Sequence, residues 1–207
     1  KDTSSDVQVA VIRSLASINT ALPRYIDSSM WGLYNVLGAA KHASVIRECV
    51  LGLRLMLQHA MRISADAAID IMQRLFRLLI IDTGIEEPDA RAAIVWLAGE
   101  YQVHFKDLIP DILRVLAVTF VDEAVATRMQ ILNFAVKLSL VRNDDAIDED
   151  QKIQDLATYI LEMARYDMNT DLRDRSRYFT ALLGLAPSNE SAVIDEDALE
   201  ELANHAE

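Results

Sequence analysis

Apolar residues in this 207-residue chain recur every three or four positions, in one segment after another, and they rarely alternate. That spacing lines them along one face of an α-helix, which turns once in 3.6 residues. In residues 87–101, EPDARAAIVWLAGEY, the residues Ile94, Val95, Leu97 and Ala98 form one broad apolar face behind Arg91. Pro88 suits the first turn of a helix, where a missing N–H leaves nothing unpaired. Asp89 sets negative charge at the positive end of the helix dipole.

The same layout returns along the chain. With Arg47, Arg91, Arg128 and Arg175 in register, the third and fourth residues after each Arg are Val50/Leu51, Ile94/Val95, Ile131/Leu132 and Tyr178/Phe179. The sixth are Leu53, Leu97, Phe134 and Ala181. The Arg residues are 44, 37 and 47 positions apart, and Gln8 with Val11 and Ile12 gives a further copy 39 residues upstream. A helical unit repeating at roughly 40 residues is the signature of HEAT or armadillo repeats.

Taken in order, the periodicity predicts helices at 6–20, 24–39, 42–59, 65–82, 87–101, 106–120, 122–140, 151–166 and 169–185. Ser64 is placed to cap the fourth, and Gly84 to stop it by taking a left-handed conformation. Pro110 falls in the first turn of the sixth. Pairing a shorter helix with a following longer one gives units at 24–59, 64–102, 106–141 and 150–185, preceded by half a unit. The predicted fold is therefore all-α, a HEAT/armadillo-like α-solenoid of about four and a half helix pairs. Residues 1–186 make the solenoid, and 187–207 an acidic tail with too few apolar groups to order itself, expected to be mobile.

Composition agrees with helices: 52% of residues are hydrophobic, while six Gly and four Pro leave little for hairpins. No charge-free apolar run reaches the roughly 20 residues that cross a bilayer. Arg77 interrupts residues 75–81 and Lys137 interrupts 131–141. The opening KDTSSD carries no basic or apolar address and no initiator Met, so the chain is expected to be a piece of something longer. Its single cysteine, Cys49, excludes an internal disulfide framework and suits the cytosol. Lying in an apolar stripe, Cys49 reads as a buried, inert thiol.

The net charge of −12 is concentrated in two places. Residues 143–151 hold Asp144, Asp145, Asp148, Glu149 and Asp150, and residues 187–207 hold seven acids, with no base in either. Setting those twelve aside leaves 20 acids against 20 Lys and Arg, so the body is neutral. A nucleic-acid binder needs a basic face, which this lacks.

Candidate chemistry is sparse. His42, His59, His104 and His205 never fall three or four apart, so no helix offers two imidazoles to a metal. The acids of 143–151 lack the calcium-loop pattern and its Gly, and read as a solvated loop. No phosphate-binding loop, dinucleotide fingerprint, nucleophile elbow or zinc-protease motif occurs. No catalytic residue, cofactor or metal site is assigned, and the chain is not read as an enzyme. Gly52 and Gly99, alone within helical patterns, are expected to let neighbouring helices approach. The Arg series reads first as a structural ladder, each Arg pairing with acids of the adjoining turn, as Asp171, Asp174 and Arg175 suggest. Its second reading is a concave face that receives a partner. Trp96 reads as core; Trp31, beside Tyr34, reads as buried before it reads as an interface aromatic.

These residues carry a resemblance. Residues 90–101, ARAAIVWLAGEY, resemble the R-A-x-x-x-W-x-x-G-E segment of the beta-adaptins, large chains of clathrin-type adaptor complexes. Residues 129–140, MQILNFAVKLSL, are similar to their L-Q-I-L-N-x-x-x-K-L-x-L helix, and residues 166–177, YDMNTDLRDRSR, to their Y-D-x-N-x-D-x-R-D-R segment. Arg177 and Tyr178 look most like the beta chain of adaptor-protein complex three. The acidic residues 143–151 depart from the pattern.

The resemblance implies the later part of a beta trunk, a scaffold that curves around the medium chain's N-terminal domain and touches the second large chain. It implies a cytoplasmic protein, peripheral on Golgi and endosomal membranes and vesicle coats, reaching the membrane only through the complex. None of the three motifs is a cargo or catalytic site in the family, so no functional residue is carried over and the protein-binding residues stay unassigned. The alternative is a karyopherin-like HEAT-repeat transport receptor binding basic cargo through acidic loops. An open-ended stack also predicts self-association through residues 7–15.

Overall fold

The computed structural model describes residues 4–63, 65–81, 84–141 and 147–185, and these contain nine α-helices and no strand. They are α1 (Ser5–Ala21), α2 (Ile26–Ala39), α3 (Ala43–Ala60), α4 (Asp66–Ile80), α5 (Pro88–Glu100), α6 (Ile109–Thr119), α7 (Val125–Leu140), α8 (Ile147–Arg165) and α9 (Thr170–Leu182). Odd-numbered helices form one layer, in which α1 packs on α3, α3 on α5, α5 on α7 and α7 on α9. Even-numbered helices form the second, α2 on α4, α4 on α6 and α6 on α8. Each even helix also packs on the odd helix that follows it. The result is the four-and-a-half-pair α-solenoid that the repeat predicts.

Local chemistry sets the ends of these helices. The Glu87 carboxylate caps α5 by accepting from the Ala90 N–H at 2.6 Å, with Pro88 as the first helical residue. Asn169 caps α9 in the same way, accepting from the Leu172 N–H at 3.1 Å. At the other end of α9, Gly184 takes φ +67°. There the Leu185 N–H reaches back to Thr180 O at 3.0 Å and Gly184 N–H to Ala181 O at 3.2 Å. That paired closure needs a left-handed residue, which glycine adopts without strain.

Several predicted boundaries move. α6 starts at Ile109, because Leu108 and Ile109 both donate to Phe105 O and close a separate turn ahead of Pro110. α7 starts at Val125, since Asp122 and Glu123 are still bonded into the turn that ends α6. α8 begins at Ile147, so residues 148–150 lie in its first turn rather than in a loop. Gly84 ends nothing by left-handedness; a Cβ there would sit 2.0 Å from Leu78 O, so the loop after α4 folds hard against the helix end. Ser64, Asp144, Asp145 and residues 187–207, with His205, lie outside the described residues.

One continuous apolar core runs from Ile12 in α1 to Leu172 in α9. Helices at the middle of the odd layer are covered on both flanks and from behind, and their sequences reflect it. In α5, Ala90, Ala92, Ala93, Ala98 and Gly99 are all buried beside Ile94, Val95 and Leu97. Small side chains let helix axes approach, and Gly99 is where it matters most. A Cβ there would meet the Phe134 ring at 3.3 Å and Lys137 Cδ at 3.5 Å. Gly52 serves α3 similarly, against Leu33, Ile12 and Ala16. In α4, by contrast, Ile71, Met72, Leu75, Phe76 and Leu79 make a single buried stripe.

Candidate interaction surface

The odd helices run parallel, because their beginnings meet beginnings and their ends meet ends. Arg47, near the start of α3, pairs with Asp89 in the first turn of α5 at 3.0 Å. Arg91, in the first turn of α5, pairs with Glu123 just before α7 at 2.6 Å. Arg128, in the first turn of α7, donates to Asp167, which precedes α9. Each of these Arg residues thus bridges to the next helix of its own layer. The expected ladder is real, but its acids do not lie in the adjoining turn.

Burial grades the rungs. The Arg47–Asp89 pair is about half exposed on both sides, whereas the Asp167 side chain is 3% exposed and that of Arg128 17%. Asp167 is fully engaged, accepting from the Asn169 N–H at 2.8 Å as well. Glu123 also accepts from the Thr119 hydroxyl at 3.2 Å. A further rung ties Arg13 of α1 to Glu48 of α3 through two bonds of 2.9 and 2.6 Å. The Arg13 guanidinium holds the Glu48 carboxyl below its ordinary value, against the opposing effect of burial.

The last copy of the repeat is out of register by two. The residue of α9 equivalent to Arg91 is Arg173, not Arg175. Arg91 donates to the carbonyl of Ile85, six residues back, and Arg173 likewise to that of Asp167. Arg175 is exposed and only brushes Asn133 of α7 at 3.4 Å, while Tyr178 lies in solvent. Asp174 pairs with Arg177 on the surface, so it is no rung.

Trp96 of α5 is only partly buried, packed against the edge of the core, so it is core in part rather than wholly. Two cations flank it: the Arg54 guanidinium carbon lies 5.5 Å from the ring centroid, and Lys137 Nζ 5.8 Å. Lys137 also pairs with Glu100 at 2.6 Å. On the even layer Trp31 is partly buried too, edge-on to Tyr34 at 6.1 Å, with Arg74 5.1 Å from its ring. A large rigid aromatic with a cation over its ring is a common anchor of protein interfaces. Arg54 and Lys137 escape a sequence reading because nothing in their spacing links them to Trp96.

The other candidates stay apart. His42 begins α3 and His59 closes it, about 25 Å away at the helical rise. His104 lies edge-on to Phe105. Among the described residues no cluster of His, Cys, Asp and Glu could hold a metal ion. Cys49 is fully buried, and burial pushes its thiol up to about 11. A groove of about 830 Å³ opens where α2 meets α3 and the end of α4, lined by Tyr34, Lys41, Leu78, Glu86 and Pro88 among others. Among the described residues no helix is long and apolar enough to cross a membrane.

Comparison with known proteins places this geometry. The family described as the adaptin N-terminal region matches residues 1–187. The chain is similar to AP-3 complex subunit beta-2 of Mus musculus, 31% identical over 193 residues. That alignment takes in 93% of this chain and 16% of the mouse protein. It is 33% identical over 111 residues to AP-3 complex subunit beta of Schizosaccharomyces pombe, covering 51% of this chain and 15% of that one. In fold it is similar to a structure titled "Homology model of the full-length AP-3 complex in an intermediate open conformation". The TM-score is 0.70 at 24% identity, over 90% of this chain and 32% of the other. The chain therefore spans about a sixth of the length of these curated relatives.

Proposed function

The chain belongs to the adaptin N-terminal-region family, and on that footing we propose that it is a structural trunk segment of the beta subunit of a vesicle-coat adaptor complex. It scaffolds partner chains for cargo sorting and intracellular vesicle-mediated protein transport. Residues 1–186 act as one trunk unit and 187–207 as an acidic extension of it.

The observation that carries this reading is the coincidence of an Arg-runged, two-layer helical stack with a family match along nearly the whole chain. Stacked pairs share one core, so the stack behaves as a stiff rod with long faces. Partners bury area on those faces, and no chemistry at a catalytic centre is required. The relatives are named as subunits of a multi-chain complex, which supports the medium chain's N-terminal domain and the second large chain as partners. It acts in the cytoplasm, on Golgi and endosomal membranes, with membrane contact made by the complex. The comparisons do not favour a transport receptor for basic cargo.

Co-expression tests the reading. The chain is expected to co-purify through size exclusion with the medium chain's N-terminal domain. A folded chain that elutes alone, or that instead binds a basic localisation peptide in a salt-sensitive way, contradicts it.

A further inference from the structure

Among the described residues no helix covers the outer side of α1, and what it exposes follows the repeat. With Gln8 in register with Arg128, the residues Val7, Val11, Ser14, Leu15 and Ile18 fall where α7 has Thr127, Ile131, Phe134, Ala135 and Leu138. All five of those are buried in α7. Two of them touch α5, Phe134 against Gly99 and the Thr127 hydroxyl donating to Pro88 O at 3.2 Å. The open side of α1 is thus the side on which an odd helix receives the odd helix before it.

The charges at the two ends of the stack complement each other. Asp6 stands two residues before Gln8, as Asp89 stands two before Arg91. Asp89 accepts from Arg47 of the odd helix ahead of it. Asp6 is exposed and has no ion pair among the described residues. At the other end Arg173, the counterpart of Arg91, donates to the peptide oxygens of Asp167 and Met168. It meets no carboxylate side chain among the described residues. One end holds an acid without its Arg, the other an Arg without its acid.

We propose that copies of this chain dock head to tail, with α9 of one copy parallel to α1 of the next and Arg173 on Asp6 as a further rung. The established packing of α3 on α5 gives the offset. Arg47 and Asp89, and likewise Arg54 and Trp96, lie 42 residues apart, so both contacts share one alignment of the two helices. The same alignment, anchored on Arg173 and Asp6, sets Tyr178 opposite Val11, Ala181 opposite Ser14, Leu182 opposite Leu15 and Leu185 opposite Ile18. Val11, Ile18, Tyr178, Leu182 and Leu185 are exposed in the single chain, and docking removes them from water together. Asp174 and Arg177, which come opposite Val7 and Ala10, already neutralise each other. A contact between two different faces does not close on itself, so copies add in an open row. The docking goes beyond the trunk reading and does not depend on it.

Sedimentation equilibrium of the 207-residue chain tests this. The expected mass passes two copies as concentration rises. Asp6→Arg and Arg173→Asp each raise the dissociation constant about tenfold or more, because like charges then face each other. An equimolar mixture of the two variants regains the parent's association, since each junction between unlike chains again joins opposite charges. Circular dichroism checks that both variants keep the parent's helix content. Leu182→Glu, at an exposed position of α9, weakens association as Val11→Glu does, and reads the same contact without touching Arg173. A monomer at every concentration, a mass that levels off at two copies, or a mixture of folded variants that stays apart overturns the proposal. So does indifference to Leu182→Glu, which assigns the stripe to a contact of α1 with a second α1.

Discussion

Arg128 and Asp167 are 39 residues apart in sequence, yet they form the rung with the most buried acid among the described residues, joining the start of α7 to the start of α9. The same relation, less deeply buried, joins Arg91 to Glu123, and in the open Arg47 to Asp89. Together they fix the offset of each odd helix against the next. Apolar ridges allow several offsets at similar energy; a charge that must find one carboxylate allows one.

Removing one member of the buried rung strands the other. Arg128→Ala is expected to destabilise the chain by about 3–5 kcal/mol, since it leaves the nearly buried Asp167 without its cation. Arg47→Ala removes a half-exposed pair and is expected to cost less than about 1 kcal/mol. Urea unfolding of the two variants measures the difference. Equal losses would mean that burial does not grade the rungs.

Much of this was legible in the sequence, and the exceptions have physical causes. The helices and their pairing follow from apolar spacing, and Arg47, Arg91 and Arg128 from their place near each helix start. Their acids could not be found by spacing, because the acid drifts: Asp89 is the second residue of α5, Glu123 lies two before α7, and Asp167 three before α9. The shift at α9 arose because Arg175, Tyr178 and Phe179 imitate the earlier pattern. Burial instead selects Leu172 and Ser176, the latter donating its hydroxyl to Leu161 O at 2.7 Å. Trp96 packs against the core but stays partly exposed, a distinction that its place in an apolar stripe does not reveal.

The Arg13–Glu48 rung makes stability depend on acid pH. In the folded chain Glu48 titrates below its ordinary 4.5, so its contribution is complete above that value and fades as pH falls through the lower, folded one. Thermal melts of Glu48→Gln and the parent are expected to differ near neutrality and to converge in strong acid. A difference that grows on acidification would contradict the assignment.

Cys49 should report global opening. With no exposure and a thiol pushed up to about 11, it is expected to resist an aromatic disulfide reagent near neutral pH. Its labelling rate should follow urea-induced unfolding. As pH rises from 9.0 through about 11, the thiolate favours the unfolded chain, and stability should decline. Rapid labelling in native buffer would refute this burial.

At the far edge of α1, Val7, Val11 and Ile18 stand more than half exposed on one face. An apolar stripe of this kind favours association. Light scattering is expected to show mass rising with concentration for the 207-residue chain, and a monomer for Val7→Glu with Val11→Glu. A parent that stays monomeric at high concentration would remove α1 as a contact.

The most direct trial of the scaffold account is the structure, by electron cryo-microscopy, of a full-length beta chain containing this segment, assembled with its medium chain and the second large chain. The account requires residues 5–182 to form an uninterrupted two-layer stretch of the trunk, with Arg47, Arg91 and Arg128 on their acids and partner chains against its faces. A segment folded into a closed globule, or standing clear of every partner, would contradict it.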